Sequence, residues 1–375
     1  MKYKNPFGTV SITAESRRLI DEALDIKMVT RGKYVREFEE RFAQLFGVKD
    51  AVAVSSGTDA DALSLAVLYD YGAKREDEVI VPALSFVATG NAVFQAGFQP
   101  VFVDVKRETL NIDVDKIEAA ITKKTRAIMP VHLMGKPAAM KEIMAIAKRH
   151  KLFVIEDTAE AHGAELNGQL LGTFGQMAAF SLYAAHIVTT IEGGIVITND
   201  EKMAGILRSL RNHGIVGKFD FQRIGFSAKM NELEAAVGIG NIRIFKETLK
   251  KRRRNLLYLI EKFARFEEQF IFIKEEKGEK IGPHAFSIIL REGLPFTKDD
   301  LVADLDGAGI DSRNLFYSMP TQCPGYRFLG HKIGDFPEAE YCGDHGFHIG
   351  IHQDLELDQM DYVVETVRKF LKKRK

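Results

Sequence analysis

The sequence is poor in cysteine: its 375 residues include only Cys323 and Cys342. Two cysteines cannot form a network of disulfide bonds, and they cannot supply all the thiolates that hold an iron–sulfur cluster. The chain also has no excess charge, because 52 Lys and Arg residues balance 52 Asp and Glu residues. Without a global electric field, we expect no nucleic acid and no membrane among the partners.

Long apolar segments are missing as well. No run of residues approaches the roughly 20 apolar residues that a membrane-spanning helix needs. The first residues, Met1–Gly8, lack the apolar core of a secretory signal peptide. We therefore expect a cytoplasmic protein.

What the sequence does have is the pattern of an α/β protein. Amphipathic helical patterns, such as Thr58–Tyr69 and Met140–His150, separate short runs rich in β-branched residues. Strands connected by such helices form a mostly parallel sheet with helices on both faces. The runs that predict strands are Ala51–Val54, Glu78–Val81, Pro100–Val105, Ala127–Pro130, Leu152–Glu156, Ala178–Ser181 and Gly194–Thr198.

The length of the chain predicts two domains. We expect a large domain at residues 1–245 and a smaller C-terminal α+β domain at residues 246–375, with the N-terminal segment packing on either of them. The charged run Lys250–Arg254 lies in a helical pattern at the passage between the two. We interpret this run as a solvated helix face, with a contact to a nucleotide phosphate as the alternative.

Two polar features lie at the ends of predicted strands. Ser55–Thr58 follows a strand and opens a helix, so its backbone amides and the helix dipole can hold a phosphate. The commoner explanation of such a turn is a simple helix cap. Asp157 directly follows another apolar strand, at the sheet edge where open α/β folds bind ligands. The alternative role for this aspartate is again a helix cap.

One cysteine and three histidines near the end of the sequence are candidates for a zinc site. Cys342, His345, His348 and His352 are spaced closely enough to suggest zinc ligands. Glycines between them argue against one regular helix that presents all four side chains together. We therefore predict no metal.

A resemblance to a known family rests on the segment from Phe180 to Gly194, Phe-Ser-Leu-Tyr-Ala-Ala-His-Ile-Val-Thr-Thr-Ile-Glu-Gly-Gly. It is similar to the stretch around the catalytic lysine of the fold type I nucleotide-sugar aminotransferases, the DegT/DnrJ/EryC/StrS type. In that family the lysine binds pyridoxal 5′-phosphate (PLP) covalently. This chain has His186 instead, as a branch of sugar 3-dehydratases does. An imidazole cannot form that bond, but it can carry a proton near neutral pH.

The resemblance covers nearly the whole chain and implies an aspartate-aminotransferase-like fold, a homodimer and PLP or its pyridoxamine form as the cofactor. It implies a phosphate site at Gly57, Thr58 and Ser181, a stacking ring at Phe86 and a partner for the pyridine nitrogen at Asp157. The remaining residues that it implies are Glu160 near the phenolic oxygen with His162 close by, Ser227 across the dimer interface, and Arg313 and His352 at the sugar nucleotide. Ser227 stands where the family commonly has a longer asparagine.

The implied function is removal of the 3-hydroxyl group from a 4-keto-6-deoxy nucleotide sugar, GDP-linked by resemblance alone. An amino acid such as glutamate donates the amine, His186 carries the proton, and the products are a 3-deoxy-4-keto sugar and ammonia. Two alternatives stay open: an aminotransferase with a Lys→His change, and a sensor without turnover. Ile191, where aminotransferases usually have glycine, favours the dehydratase.

Overall fold

The computed structural model describes residues 3–30 and 32–374. Within them the strands are β1 (Asp50–Val54), β2 (Glu78–Pro82), β3 (Gln99–Val103), β4 (Thr125–Ile128), β5 (Phe153–Asp157), β6 (Glu165–Leu166), β7 (Gln169–Leu170), β8 (Met177–Ser181), β9 (Gly194–Thr198), β10 (Ile215–Val216), β11 (Asp220–Phe221), β12 (Phe270–Ile271), β13 (Glu279–Lys280), β14 (Ala285–Leu290), β15 (Ser312–Asn314) and β16 (Gly346–Gly350). The α-helices are α1 (Ala14–Asp25), α2 (Lys33–Phe46), α3 (Gly57–Ala66), α4 (Ala88–Gln95), α5 (Val114–Ala120), α6 (Met140–His150), α7 (Glu201–Leu210), α8 (Glu232–Phe263), α9 (Lys298–Gly307), α10 (Met319–Gln322), α11 (Pro337–His345) and α12 (Leu357–Lys373).

The large sheet contains seven of the described strands, in the order β1-β9-β8-β5-β4-β2-β3. The pairs β8–β5, β5–β4, β4–β2 and β2–β3 are parallel, and β9 runs antiparallel to both β1 and β8. The strands are almost fully buried, as in sheets covered on both faces. All seven predicted strands are present, which confirms the mostly parallel sheet.

The helix prediction is confirmed at Met140–His150, which is α6. The predicted helix Thr58–Tyr69 is split, because α3 ends at Ala66 and a 3₁₀ helix continues over Val67–Tyr71. None of the described helices is both long and apolar enough to cross a membrane.

A smaller antiparallel sheet, in the order β12-β14-β16-β15, follows the long helix α8. The N-terminal segment returns to this part of the molecule, where the Lys4 amide donates to the Gly309 carbonyl at 2.9 Å. Helix α8 is continuous across residues 245 and 246, so it links the two parts of the chain. The division at that point stays a prediction.

The charged run Lys250–Arg254 is not uniformly solvated. Arg252 is only 1% exposed, and it lies on the same helix stripe as the buried Phe245, Leu256 and Leu259. The prediction of a solvated face is therefore wrong for this arginine. A buried guanidinium needs polar partners, because an uncompensated charge is costly inside a protein.

Candidate active site

The carboxyl ends of β1, β5 and β8 meet at one edge of the large sheet, because these strands run in the same direction. Gly57 follows β1, and Ser181 ends β8. They are so close that a Cβ atom on Gly57 would lie 2.7 Å from the Ser181 Cβ atom. The predicted phosphate contacts at Gly57 and Ser181 therefore lie side by side.

The turn before α3 is fixed by its own side chains. Ser55 and Ser56 both donate hydrogen bonds to the Asp59 carboxylate, at 2.7 and 2.8 Å, and the Asp59 amide donates to the Ser56 hydroxyl. The amides of Gly57 and Thr58 begin the helix and have no acceptor within it. The turn is both a helix cap and a potential anion site.

Phe86 follows β2, and its side chain is 57% exposed. Its ring lies 5.6 Å from the ring of Phe316, measured between centroids, in a tilted arrangement. A phenylalanine this exposed is not a core residue, and its ring is accessible to a planar ligand.

Asp157 is buried at the end of β5. Its carboxylate accepts hydrogen bonds from the Thr89 hydroxyl at 2.8 Å and from the Ala159 amide at 3.1 Å. Burial raises the pKa of Asp157 despite these bonds, so a cation beside it would favour its charged form. The helix-cap alternative is wrong, because the described residues after Asp157 form turns and short strands until α7 begins.

Glu160 lies in the turn after Asp157 and is also buried. It accepts a hydrogen bond from the Met134 amide at 2.7 Å, and its other oxygen lies 3.4 Å from Nε2 of His284. Burial raises the pKa of Glu160 to about 8. This carboxyl group can therefore hold a proton at neutral pH.

His186 lies within a cluster of buried histidines. Its ring centroid is 5.0 Å from that of His284 and 5.8 Å from that of His162. Burial, and after it the charge of Arg252, lowers the pKa of His186 to about 3. Burial also holds the pKa values of His162 and His284 well below the ordinary range. His186 is thus a neutral imidazole, and its buried Nδ1 has no hydrogen-bond partner among the described residues.

Neither buried lysine in the described part of the chain is placed to act as a covalent anchor for a cofactor. Among residues 3–30 and 32–374, the buried lysines are Lys136 and Lys298. The first pairs with Glu279 and the second donates to the Gly343 carbonyl at 3.2 Å. Neither amine is therefore free to form a covalent bond with a cofactor.

The predicted substrate residues lie near the small sheet. His352 follows β16, is buried, and has an Nε2 atom without a partner in the described part of the chain. Arg313 on β15 is exposed, and its guanidinium lies over the Phe7 ring, 4.8 Å from the centroid. Burial, with a smaller effect from Arg252, lowers the pKa of His352 to about 4, so this imidazole is also neutral.

Ser227 lies in a different environment from the other predicted cofactor residues. It is exposed and accepts a hydrogen bond from the Lys229 amine at 2.9 Å. Its segment bridges to Asn212 rather than to the edge of the large sheet. The contact between Ser227 and a cofactor in a second subunit stays a prediction.

The zinc motif is divided between two elements. Cys342 and His345 lie in α11, whereas His348 is in β16 and His352 follows that strand. The His345 ring stacks on Tyr341 with centroids 4.1 Å apart. Within the described ranges, no group of three or more His, Cys, Asp or Glu residues is placed to hold a metal ion.

Residues 10–368 match the DegT/DnrJ/EryC1/StrS aminotransferase family. The chain belongs to this family. The resemblance found in the motifs is confirmed, and members of the family with solved structures share the fold over nearly the entire chain.

Three relatives illustrate the range of names within the family. GDP-perosamine synthase from Caulobacter vibrioides is 36% identical over 366 residues, which is 96% of this chain and 96% of that protein. GDP-4-keto-6-deoxy-D-mannose 3-dehydratase from Yersinia pseudotuberculosis is 36% identical over 389 residues, covering 97% and 98%. A crystal structure of GDP-4-keto-6-deoxymannose-3-dehydratase with a trapped PLP-glutamate geminal diamine has a TM-score of 0.89 at 30% identity, covering 97% of this chain and 100% of that one.

The residues at this edge fit PLP. The helix amides at Gly57, the accessible ring of Phe86 and the buried carboxylate of Asp157 match a phosphate, a planar ring and a protonated ring nitrogen. Two further residues, to which the sequence did not point, lie around His186. The His284 ring lies beside the His186 ring, and the Arg252 guanidinium lies beneath the His186 backbone.

Proposed function

We propose that this protein removes the 3-hydroxyl group from a GDP-linked 4-keto-6-deoxy hexose, with PLP in its pyridoxamine form. The observation that carries the proposal is His186, a neutral imidazole buried where family aminotransferases have a lysine. One molecule of sugar and one of glutamate would give the 3-deoxy-4-keto sugar, 2-oxoglutarate and ammonia, which balances without added water. The 36% identity to a relative named as a 3-dehydratase supports this choice.

The proposed cofactor residues would each bind a different part of PLP. Gly57, Thr58 and Ser181 hold the phosphate at the start of α3, where backbone amides and the helix dipole favour an anion. Phe86 covers one face of the ring. Asp157 would hold a proton at the ring nitrogen, so that bound PLP would supply an electron sink beside His186.

His186 acts first as a base and then as an acid. The ring is unprotonated at neutral pH, so Nδ1 or Nε2 would be able to accept a proton from a carbon held beside it. The same imidazole can donate that proton to the departing 3-hydroxyl. A lysine amine would instead favour returning a proton to carbon and leaving the amine on the sugar.

The substrate and the second subunit complete the proposal. We assign Arg313 and His352 to the sugar nucleotide, because an exposed guanidinium suits a diphosphate and the partnerless Nε2 of His352 suits a sugar hydroxyl. We assign Ser227 to the cofactor of a second copy of this chain in a homodimer. The exposed Phe219 and Phe221, on the β10–β11 hairpin that precedes Ser227, support an interface there.

A second candidate function is transfer of the amine to the sugar. The 36% identity to a relative named GDP-perosamine synthase favours it, since such synthases are aminotransferases. The two candidates share the sugar, the cofactor and the amine donor. They differ in whether nitrogen ends on the sugar or in solution.

The test is to incubate the protein with GDP-4-keto-6-deoxymannose, PLP and glutamate, and to analyse the sugar by mass spectrometry while ammonia is quantified. We expect a 3-deoxy-4-keto sugar and one ammonia for each 2-oxoglutarate. A reaction without glutamate is the control and should yield neither. A 4-amino sugar without ammonia would establish the aminotransferase. No turnover of any 4-keto nucleotide sugar would instead favour a sensor that binds the sugar without converting it.

A further inference from the structure

Arg252 is a fully buried arginine on α8, and its guanidinium lies beneath the His186 turn. Both terminal nitrogens donate to the Ala185 carbonyl at 3.1 Å, and one of them lies 3.4 Å from the His186 carbonyl. Among the described residues no carboxylate lies within 4.0 Å of this guanidinium. Its direct hydrogen-bond partners are therefore neutral, and Asp354 is the acidic side chain whose charge acts on it from further away.

The same guanidinium also reaches the segment that carries His352. Nε of Arg252 donates to the Gln353 side-chain oxygen at 2.8 Å. Nearly one helical turn later, the Asn255 amide group donates to the Leu355 carbonyl at 3.0 Å and lies 3.3 Å from the His352 carbonyl. This part of α8 thus contacts both segments that bear the proposed catalytic and sugar-binding histidines.

We propose that Arg252 is a positioning residue that fixes the His186 turn relative to the His352 segment. The catalytic part of this inference rests on the proposed function, whereas the contacts that link the two segments do not depend on it. A planar fork of donors can bind Gln353 and Ala185 together, whereas a single ammonium group on the lysine stem cannot span both. Burying a guanidinium without a direct ion pair is costly, which argues for a specific role.

The charge of Arg252 also acts on His186 and His352. It is the second cause, after burial, of the lowered pKa of His186 and of His352. The other ionisable groups that face His186 are His162, His284 and Tyr183, whose ring centroid lies 6.4 Å from that of His186, with Glu160 behind His284. Both imidazoles are neutral, so Arg252 is the cation that disfavours a proton on His186.

The test compares Arg252→Lys and Arg252→Gln with a matched control, Arg254→Gln. Arg254 lies on the same helix but is partly exposed: it pairs with Glu356 and donates to the Leu355 carbonyl and the Asn255 side chain, so it touches the 351–355 segment but not the His186 turn. Hydrogen–deuterium exchange of the protein without substrate is the first readout. We expect faster exchange in residues 183–189 and 351–355 of both Arg252 variants, and no change in residues 183–189 of the control.

Kinetics give the second readout. We expect kcat to fall by roughly a hundredfold in Arg252→Lys, because a misplacement of about 1 Å costs that much, with KM changed far less. In Arg252→Gln the acid limb of the kcat profile should move to higher pH, because the cation that opposes protonation of His186 is gone. A purely structural role would not shift that limb.

Several outcomes separate the two proposals. Unchanged exchange with kcat within twofold of wild type would overturn the positioning role, whatever the reaction is. Faster exchange in both segments, in a wild-type protein that makes no 3-deoxy sugar, would keep the linkage and reject the function. If the Arg252 variants do not fold, Gln353→Leu decides: exchange that rises only in residues 351–355 contradicts the linkage, and a rise in both segments supports it.

Discussion

Gly57 lies directly against Ser181, although 123 residues separate them in the chain, and no space remains for a side chain between them. A methyl group on Gly57 would meet the Ser181 Cβ atom at 2.7 Å and its hydroxyl oxygen at 3.0 Å. This contact brings the start of α3 against the end of β8, and both are proposed to face the cofactor phosphate.

Gly57→Ala should therefore weaken PLP binding without unfolding the protein. Overpacking of this kind costs about 1–3 kcal/mol, part of which falls on the displaced Ser181 hydroxyl. Titration of PLP by absorbance measures the change in Kd. Gly205→Ala in α7 is the matched control, because a Cβ atom there meets nothing within 4 Å. An unchanged Kd in Gly57→Ala would remove Gly57 and Ser181 from the phosphate site.

PLP should bind without a covalent bond to the protein, because His186 cannot form one and neither buried lysine is free. Borohydride reduction followed by dialysis should leave no pyridoxyl group on the chain by mass spectrometry. His186→Lys provides the positive control and should retain the group. A stable adduct at any lysine of the wild-type chain would contradict this prediction.

Asp157→Asn should lower turnover by on the order of a hundredfold or more, by analogy with loss of one preorganised electrostatic partner. A neutral amide cannot hold the proton on the ring nitrogen. Thr89→Val is a graded control: it removes the 2.8 Å bond to Asp157, together with the 2.9 Å bond between the Thr89 and Ser85 hydroxyls, and a bond to a charged group contributes about 1.5–3 kcal/mol. Near-normal activity of Asp157→Asn, with an unchanged melting temperature, would show that the carboxylate has no electronic role.

His186→Asn should bind the cofactor but release no ammonia, because an amide has no useful basicity near neutral pH. His186→Lys should shift the product toward a 4-amino sugar. The product ratio by mass spectrometry checks both variants. Elimination by His186→Asn at the wild-type rate would assign the proton transfer to another group, and His284, 5.0 Å away between ring centroids, would be the first to examine.

Stability should fall in acid because several imidazoles are buried in the neutral form. Burial lowers the pKa of His348 to about 3, so the unfolded chain binds a proton that the folded chain excludes as the pH falls from about 6.5 toward 3. Stability is therefore complete above this window and is lost within it, by about 2 kcal/mol for one such group at pH 5. Urea unfolding at pH 7.5 and 5.0 measures the loss. His348→Gln should reduce the difference between the two pH values, and an equal difference in both proteins would contradict the assignment.

Much of the fold could be predicted because its strands are short apolar runs buried on both faces of the sheet. Asp157 could be placed for the same reason, since a polar residue that follows a parallel strand lies at the ligand-binding edge of the sheet, whereas Ser181 needed the family resemblance. Phe86 needed the family resemblance, because nothing in the local sequence separates an exposed ring from a core one.

Arg252 was missed because the charged run around it resembles a solvated helix face. A signal was present: Phe245, Arg252 and Leu259 are spaced at seven residues, which places the arginine on the buried stripe of α8. The approach of His284 to His186 had no such signal. These residues lie 98 positions apart in the sequence, and only tertiary packing brings their rings together.

The return of the N-terminal segment to the small sheet also constrains the order of events during synthesis. Lys4, Thr9 and Ser11 bond to residues more than 300 positions later, the most distant pair being the Lys4 carbonyl and the Gln359 side chain, separated by 355 positions. A ribosome adding about 5–20 residues per second needs tens of seconds to deliver these partners. The contacts of the N-terminal segment with this part of the molecule therefore cannot be completed before translation has passed the start of α12, where Gln359 lies.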